Sequence, residues 1–359
     1  MRKKIVIGIF IAVVLFLGIG AILKSSKISP FLLQLIFNNK IELKKVEGHI
    51  NVLLLGIGGG QHEGPNLTDT MILASLNPSK NTVHIISIPR DLWIPELREK
   101  INFAYANGEN RRKGGGIVLA RAIVAKVLDQ RVDYAVRIDF NGFVRGIDML
   151  GGLDIAIDRT FDDNKYPDES QRENLCGNTF DEATVRIATE SPYMVFPCRY
   201  QHVHFEKGNE HMDGKRVLIF VRSRYAEGEE GTDFARSNRQ EKVIDAFKKK
   251  MFSIQTIFNP ARVINLYALL QKSIDTNIQQ DEFDDFIKLA QKMKTAKIQS
   301  YVIDYGDEKK ERPGLVMNPP ITDEYNSQWV LIPRIGNGNF AEIQNDVACL
   351  LGDKACRPK

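Results

Sequence analysis

The longest uninterrupted apolar run stands at the start of the chain. From Ile5 to Leu23, nineteen consecutive residues are apolar or glycine, bounded by Arg2-Lys3-Lys4 and by Lys24. A run of that length spans a hydrocarbon core as a helix. A cleaved signal peptide has a shorter apolar region that ends in a small-residue site, whereas this run leads into Leu23-Lys24-Ser25-Ser26. An uncleaved transmembrane helix is therefore expected over 5–23, after a short end at 1–4 and before a juxtamembrane linker at 24–47. Lys24, Lys27 and Lys40 nearly balance the three cations in front, so flanking charge orients the helix only weakly. Within the linker, Ser29-Pro30 and FLLQLIF (31–37) read as a capped helix start, which either lies in the membrane interface or packs on the domain.

Beyond the linker the pattern alternates between short apolar runs and stretches of helical period. NVLLLGI (51–57) is a continuous apolar run with β character, a buried strand. MILASLN (71–77) and TVHIISI (82–88) flank PSKN, a hairpin by turn chemistry. GIVLARAIVAKVLDQ (116–130) is apolar at helical spacing, and YAVRIDF (134–140) reads as the next strand. FVRGIDMLGG (143–152) is a helix stopped by glycines, and LDIAI (153–157) a strand. Residues 159–205 break the rhythm: they are polar, rich in Asp, Asn and Pro, and read as a surface insertion. Asp213 then caps a helix, GKRVLIFV, and two helical segments (260–273 and 281–293), a strand (299–304) and a last helix (339–351) follow. This alternation predicts a layered α/β fold, three-layer α/β/α around a central mixed sheet, over 48–352, with a tail at 353–359.

The apolar and charged fractions are those of a folded protein. The chain has 359 residues, with 49 basic against 45 acidic, a net charge of +4. That is too mild for nucleic acid to be bound through bulk electrostatics, and no zinc finger or RNA-binding motif is present. The four cysteines fall into two near pairs, Cys176 with Cys198 and Cys349 with Cys356, as suits an oxidising compartment. A Cys176–Cys198 disulfide is expected.

Several chemistries can be set aside. GIGGGQHEG (56–64) follows a strand, yet Gln61 stands where a dinucleotide loop needs its third glycine, and the next element is a strand. There is no Gly-Lys-Ser/Thr and no G-x-S-x-G. His202-x-His204, with Glu206 and His211 nearby, has the residue types of a zinc site, but a polar strand edge accounts for it as well.

The remaining candidates converge. Asp69 in LTDT (67–70) sits just before a strand, Arg90-Asp91 in SIPRDLW (87–93) just after one, and Asn102 in KINFAYANG (100–108) in the next turn. Ligands of open α/β sheets collect beyond strand ends. In VRSRYAEGEEGTDFARSNRQ (221–240), Asp233, Arg236 and Gln240 share a helical face with Arg239 adjacent. Arg222 and Arg224 share a face if their link is extended. Arginine forks suit carboxylate or phosphate oxygens. The competing reading is a salt-bridged surface helix. Forks plus an isolated aspartate and no nucleotide loop suit a pyrophosphate with a divalent ion.

NVLLLG, LTDTMIL, SIPRDLW, KINFAYANG, YAVRIDFNGFVRGIDMLGG, HMDGKRVLIFVRSR and DFARSNRQ, in that order over 50–250, resemble the successive motifs of the LytR–CpsA–Psr family. The resemblance implies a membrane-anchored phosphotransferase outside the cytoplasmic membrane. It would move a glycopolymer from a polyprenyl-pyrophosphate carrier onto peptidoglycan, with Mg²⁺ or Mn²⁺ as cofactor. By the same resemblance Asp69 binds the metal. Arg90, Arg222, Arg224, Arg236, Arg239 and Gln240, with Asn102 nearby, hold the pyrophosphate. Asp91 and Asp233 orient an arginine or take the incoming hydroxyl's proton. The chain departs from the family at Gly58, where an L-G-x-D pattern would place an acid, so Asp69 would share the ion with phosphate oxygens and water. The expected location is the cell membrane, single-pass, with the C-terminal domain outside. A hydrolase of the same lipid-linked intermediates, or a non-catalytic binder of anionic wall polymer, would use the same residues.

Overall fold

Eight residues, Ile50–Ile57, form strand β1, and apolar side chains on both of its faces require cover on both sides. β2 (Thr68–Asn77) runs antiparallel to it, with Leu53 opposite Leu73 and Gly56 opposite Thr70. β2 turns into β3 (Thr82–Ser87) as the sequence predicts: Asn77 Oδ1 accepts from the amides of Ser79 and Lys80 at 3.1 and 2.9 Å, an Asx turn. The computed structural model describes residues 41–45, 48–60, 64–251, 274–293, 295–307 and 312–352. The expected anchor at 5–23, the 31–37 segment, the expected helix at 260–273 and Cys356 lie outside these residues. No helix among the described residues is long and apolar enough to cross a membrane.

The chain divides into two units, residues 1–44 with 278–293, and the remainder. In the smaller, helix Phe283–Lys292 buries Leu289, and Asp285 accepts from the amide of Glu42 at 3.1 Å. The larger holds the central sheet. With β4 (Tyr134–Asp139), β5 (Ile274–Thr276) and β6 (Lys297–Val302), the strand order is β5-β4-β1-β2-β3-β6. β1, β3, β4 and β6 are parallel, while β2 and β5 run against them, so the sheet is mixed.

Helices cover both faces. α1 (Phe103–Arg111) and α2 (Gly115–Leu128) form a pair whose backbones touch: a Cβ on Gly108 would meet Gly115 O at 2.3 Å. α2 buries Ile117, Ala120, Val124 and Val127 against Leu53, Leu55, Leu73 and Ile86 of the sheet. Asn102 lies in a turn, as expected, and α1 follows it directly. The helix there forms because Ala104, Tyr105 and Ala106 are buried, a tertiary gain that its Asn and Gly content conceals. α3 (Phe140–Met149) begins earlier than expected because Asp139 caps it, accepting from Gly142 N at 2.7 Å. On the opposite face, Ile244 packs with Leu54, Ile72, Ala74 and Ile85.

The stretch at 159–205 is more than a surface insertion. Strands Phe161–Pro167 and Tyr200–Phe205 pair antiparallel, and Phe161, Tyr166, Val203 and Phe205 are core residues. With them pack Phe220 from α4 (Gly214–Arg222) and Val243 from α5 (Asp233–Met251). LDIAI pairs with Gly208–Met212 in a two-stranded sheet of its own. The outer part of the insertion is the polar piece. There Cys176 is bonded to Cys198 with Cα atoms 5.6 Å apart, and Thr179 and Glu182 form a capping box on helix Phe180–Ile187. Cys349, on α6 (Ala341–Leu351), is also disulfide-bonded.

Candidate active site

The parallel strands β1, β3, β4 and β6 all end at one edge of the sheet, and antiparallel β2 enters there. That edge is where an open α/β sheet offers unpaired backbone and room for a ligand. Asp69 is the second residue of β2, and Arg90 follows β3, so the pairing of the two strands brings them together. Arg90 Nη1 donates to Asp69 Oδ1 in a close ion pair. Asn102 fastens this corner through its backbone. Its amide donates to Arg90 O at 3.2 Å, and its carbonyl accepts from both N and Oγ1 of Thr68, each at 3.2 Å. Its side-chain Oδ1 is buried and has no hydrogen-bond partner among the described residues.

Asp91 faces a different neighbour. Lys100 Nζ donates to its Oδ1 at 3.0 Å, and Arg90 Nε lies 3.5 Å from its Oδ2, an ionic contact without hydrogen-bond alignment. Held by Lys100, Asp91 orients Arg90.

The opposing wall comes from the start of α5. Thr232 Oγ1 accepts from Ala235 N at 3.1 Å, as a helix cap does. Ser237 Oγ donates to Ser87 Oγ at 3.1 Å, docking the first turns on the end of β3. Arg236 and Gln240, one turn apart, therefore face Asp69 and Arg90 across a cleft that all four line together with Ser87 and Ser237. A helix start adds positive potential to such a cleft. Asp233 opens α5, and its side chain lies outside what is described.

Arg239 departs from its expected place. It is 2% exposed, and its guanidinium is spent on the protein. Nε donates to Phe220 O at 3.0 Å and Nη2 to Ser223 O at 2.6 Å. Nη1 donates to Glu230 O at 3.0 Å and to Glu230 Oε2 at 2.9 Å. Burial pushes its pKa down, with Glu230 opposing. Arg239 is thus a strut: it caps the carbonyl end of α4 and ties it to the helix that carries Arg236 and Gln240.

Arg222 also differs from expectation. It is the last residue of α4 rather than part of an extended link, because helical packing of Val217 and Phe220 carries the helix through it. Its guanidinium lies 4.3 Å from the Phe140 ring centroid, and Nη2 is 3.2 Å from Glu169 Oε1. Arg224 is exposed on the link that follows. Neither residue lines the cleft between β2, β3 and α5.

One organising residue escaped the sequence reading. Asp163, fully buried, accepts from Ser223 Oγ at 2.6 Å, Arg224 N at 3.0 Å and Tyr225 N at 3.2 Å, and so fixes the link that follows Arg222 and carries Arg224. The available signal was its spacing of two from Phe161, which puts both inward on one strand. At the end of β4, Tyr105 donates to Asp275 Oδ2 at 2.7 Å and accepts from Arg137 Nε at 3.2 Å. Burial and then the Asp275 bond push its pKa up to about 12, so Tyr105 is a neutral donor there.

For a metal, Asp69 contributes one carboxylate to the cleft, and Gly58 contributes none. No group of three or more His, Cys, Asp or Glu arranged to hold an ion occurs among the described residues. His202 and His204 instead share Asp162 Oδ1 at 2.7 and 2.8 Å on an exposed strand pair, and Asp162 holds the His204 imidazole above its ordinary pKa.

Three comparisons bear on this arrangement. The family model of the LytR_cpsA_psr family matches residues 24–320. A relative from Bacillus cereus, polyisoprenyl-teichoic acid–peptidoglycan teichoic acid transferase TagU, is 29% identical over 253 residues, covering 69% of this chain and 66% of the relative. TagV of Bacillus subtilis, named for the same transfer, is 26% identical over 252 residues, covering 68% of this chain and 53% of the relative. The matches thus span just under two thirds and about half of those proteins. Among solved structures, a Streptococcus agalactiae protein superposes with a TM-score of 0.56 at 20% identity, covering 87% of this chain and 90% of that one. The crystal structure of B. subtilis TagV superposes with a TM-score of 0.53 at 22% identity, covering 86% and 99%. These likenesses establish the α/β fold.

Proposed function

The chain belongs to the LytR_cpsA_psr family, and from that premise we propose that it transfers a glycopolymer from a polyprenyl-pyrophosphate carrier to a peptidoglycan hydroxyl. The observation that carries this reading is the cleft at the sheet edge, where two arginines, a glutamine and one carboxylate from three separate elements face one another. TagU and TagV are named for moving polyisoprenyl-linked teichoic acid to peptidoglycan, the same class of donor and acceptor.

The reaction is displacement at phosphorus. A bond forms from the acceptor oxygen to the sugar-linked phosphorus, and the bond from that phosphorus to the bridging oxygen breaks, releasing polyprenyl phosphate. Arg90 and Arg236 grip phosphoryl oxygens as planar forks, and Gln240 donates from the same face as Arg236. Asn102 and Asp91 hold Arg90 in place, so little reorganisation accompanies charge development. Asp233 is kept as the group that takes the hydroxyl's proton. Asp69 fits a divalent ion, Mg²⁺ or Mn²⁺, that it would hold jointly with substrate phosphate oxygens, since such ions use one or two carboxylates plus phosphate. The ion's contribution would be neutralisation of phosphate charge. The apolar run at 5–23 and the cysteine pairs support an anchored, extracytoplasmic domain.

The test uses the full chain in detergent with a polyprenyl-pyrophosphate-linked oligosaccharide, with and without a peptidoglycan acceptor. Release of polyprenyl phosphate that requires the acceptor is the expected result. Equal release without acceptor would make the protein a hydrolase, and none under either condition a binder of wall polymer.

A further inference from the structure

The cleft holds two polar groups that the proposed transfer leaves unused, the hydroxyls of Ser87 and Ser237. Different elements fix their backbones. Ser87 ends β3 between two neighbours, opposite Ile72 of β2 and Val302 of β6, and its carbonyl accepts from Ile303 N at 3.1 Å. Ile85 packs with Ile244 of α5, and Ser87, two residues on, lies on the same face of the strand. Ser237 stands two turns before Ile244, on the same stripe of α5. The apolar seam between helix and sheet thus ends, at the cleft, in a pair of hydroxyls.

The pair has two protons and one bond between them. Ser237, 6% exposed, donates to Ser87 Oγ at 3.1 Å. Ser87 then carries a proton that meets no acceptor among the described residues. Carboxylates of the neighbouring elements are engaged elsewhere: Asp69 by Arg90, and Glu241, one turn along α5, by Ser300 Oγ. A hydroxyl that already accepts one hydrogen bond is polarised toward donating another. Ser87 shares the cleft wall with Arg90 and Arg236, whose charge draws anions there, so an anionic oxygen in the cleft is the acceptor its proton lacks.

We propose that Ser87 touches the ligand: its hydroxyl donates to a non-bridging oxygen of the pyrophosphate, and Ser237 is the positioning residue that holds it in that orientation. This rests on the pyrophosphate reading of the cleft given above. The guanidinium forks supply charge, and the hydroxyl supplies a neutral donor of fixed direction, anchored mid-sheet on one side and by α5 on the other. No proton is transferred through the pair, so its contribution is to binding. The bond has a charged acceptor, the stronger kind of hydrogen bond, and its loss weakens binding about tenfold.

The experiment is calorimetric binding of geranylgeranyl pyrophosphate to the full chain in detergent, for wild type, Ser87→Ala, Ser237→Ala and the double variant, with Tm measured on each. Either alanine breaks the bond between the hydroxyls, so a purely structural latch loses the same from both. The expected Kd is about tenfold higher in Ser87→Ala and about two- to threefold higher in Ser237→Ala, where Ser87 still donates but is no longer held. The double variant should lose no more than Ser87→Ala, because Ser237 acts through Ser87. It should also keep its Tm within a few degrees, since removing both partners leaves neither unpaired. In the release assay KM should rise with Kd while kcat stays, the mark of a bond made in ground and transition state alike. An unchanged Kd in Ser87→Ala, an equal or larger loss in Ser237→Ala, or losses that add in the double variant would overturn the donor and leave the pyrophosphate reading standing. No binding by the wild type would remove that reading and the donor with it.

Discussion

Arg239→Lys separates a strut from a ligand-binding arginine. In the wild type, three nitrogens of one buried fork reach acceptors in three directions: Phe220 O, Ser223 O, and the carbonyl and carboxylate of Glu230. An ammonium keeps the charge but gathers its donors on one atom, so it satisfies about half of these bonds. Each bond involving a charged group contributes about 1.5 kcal/mol, and two buried carbonyls are left short, giving a loss of about 3 kcal/mol. For a domain of this size that lowers Tm by roughly 5–10 °C. The assay is paired: differential scanning fluorimetry and turnover on Arg239→Lys and Arg236→Lys. Arg239→Lys should melt early, while Arg236→Lys, at the cleft, should melt within a few degrees of wild type. If Arg239→Lys keeps the wild-type Tm and loses turnover as Arg236→Lys does, then Arg239 binds ligand and the strut is wrong.

Three further outcomes follow from the same geometry. Asp163→Asn turns an acceptor of the Ser223, Arg224 and Tyr225 donors into a mixed group, and should cost about 2 kcal/mol in a urea titration while raising KM; an unchanged midpoint would show that the link does not depend on it. His84 is held below its ordinary pKa by burial first, then by His49 and Lys80, so folding favours its neutral form. Its contribution is present above about pH 6.5 and lost as pH falls through its lowered folded value, so the urea midpoint should drop below pH 6.5, less so in His84→Gln, and an identical slope in both proteins would exclude it. Replacing Cys176 and Cys198 by serine opens a loop of sequence separation 22 and should cost about 3 kcal/mol, read as loss of hydrogen-exchange protection in helix Phe180–Ile187; unchanged protection would refute it.

Strand ends and local turns were legible because their causes are local. The continuous apolar run of β1, the turn after Asn77 and the cap at Asp213 each follow from a few adjacent residues. Asp69 and Arg90 could be named because residues flanking strands gather at a sheet edge, and Arg236 and Gln240 because spacing of four puts them on one helix face. What spacing cannot say is which neighbouring face turns inward. Arg239 sits beside Gln240 in sequence, yet packing of α5 on α4 directs it into the core. Arg222 read as extended because its helix is stabilised beyond its own sequence, by Arg239 at its carbonyl end. Asp163 was hidden for a similar reason: its partner Ser223 lies sixty residues away, so no local pattern marks it.

Turnover of Arg236→Lys in the acceptor-dependent release assay decides whether the cleft grips a pyrophosphate through arginine forks. Lysine retains the charge and removes the second parallel hydrogen bond. The expected rate is at least about tenfold lower, a loss of roughly 1.4 kcal/mol of transition-state stabilisation. Release at the wild-type rate from Arg236→Lys, with its Tm unchanged, would contradict the account and return Arg236 to a solvated helix face.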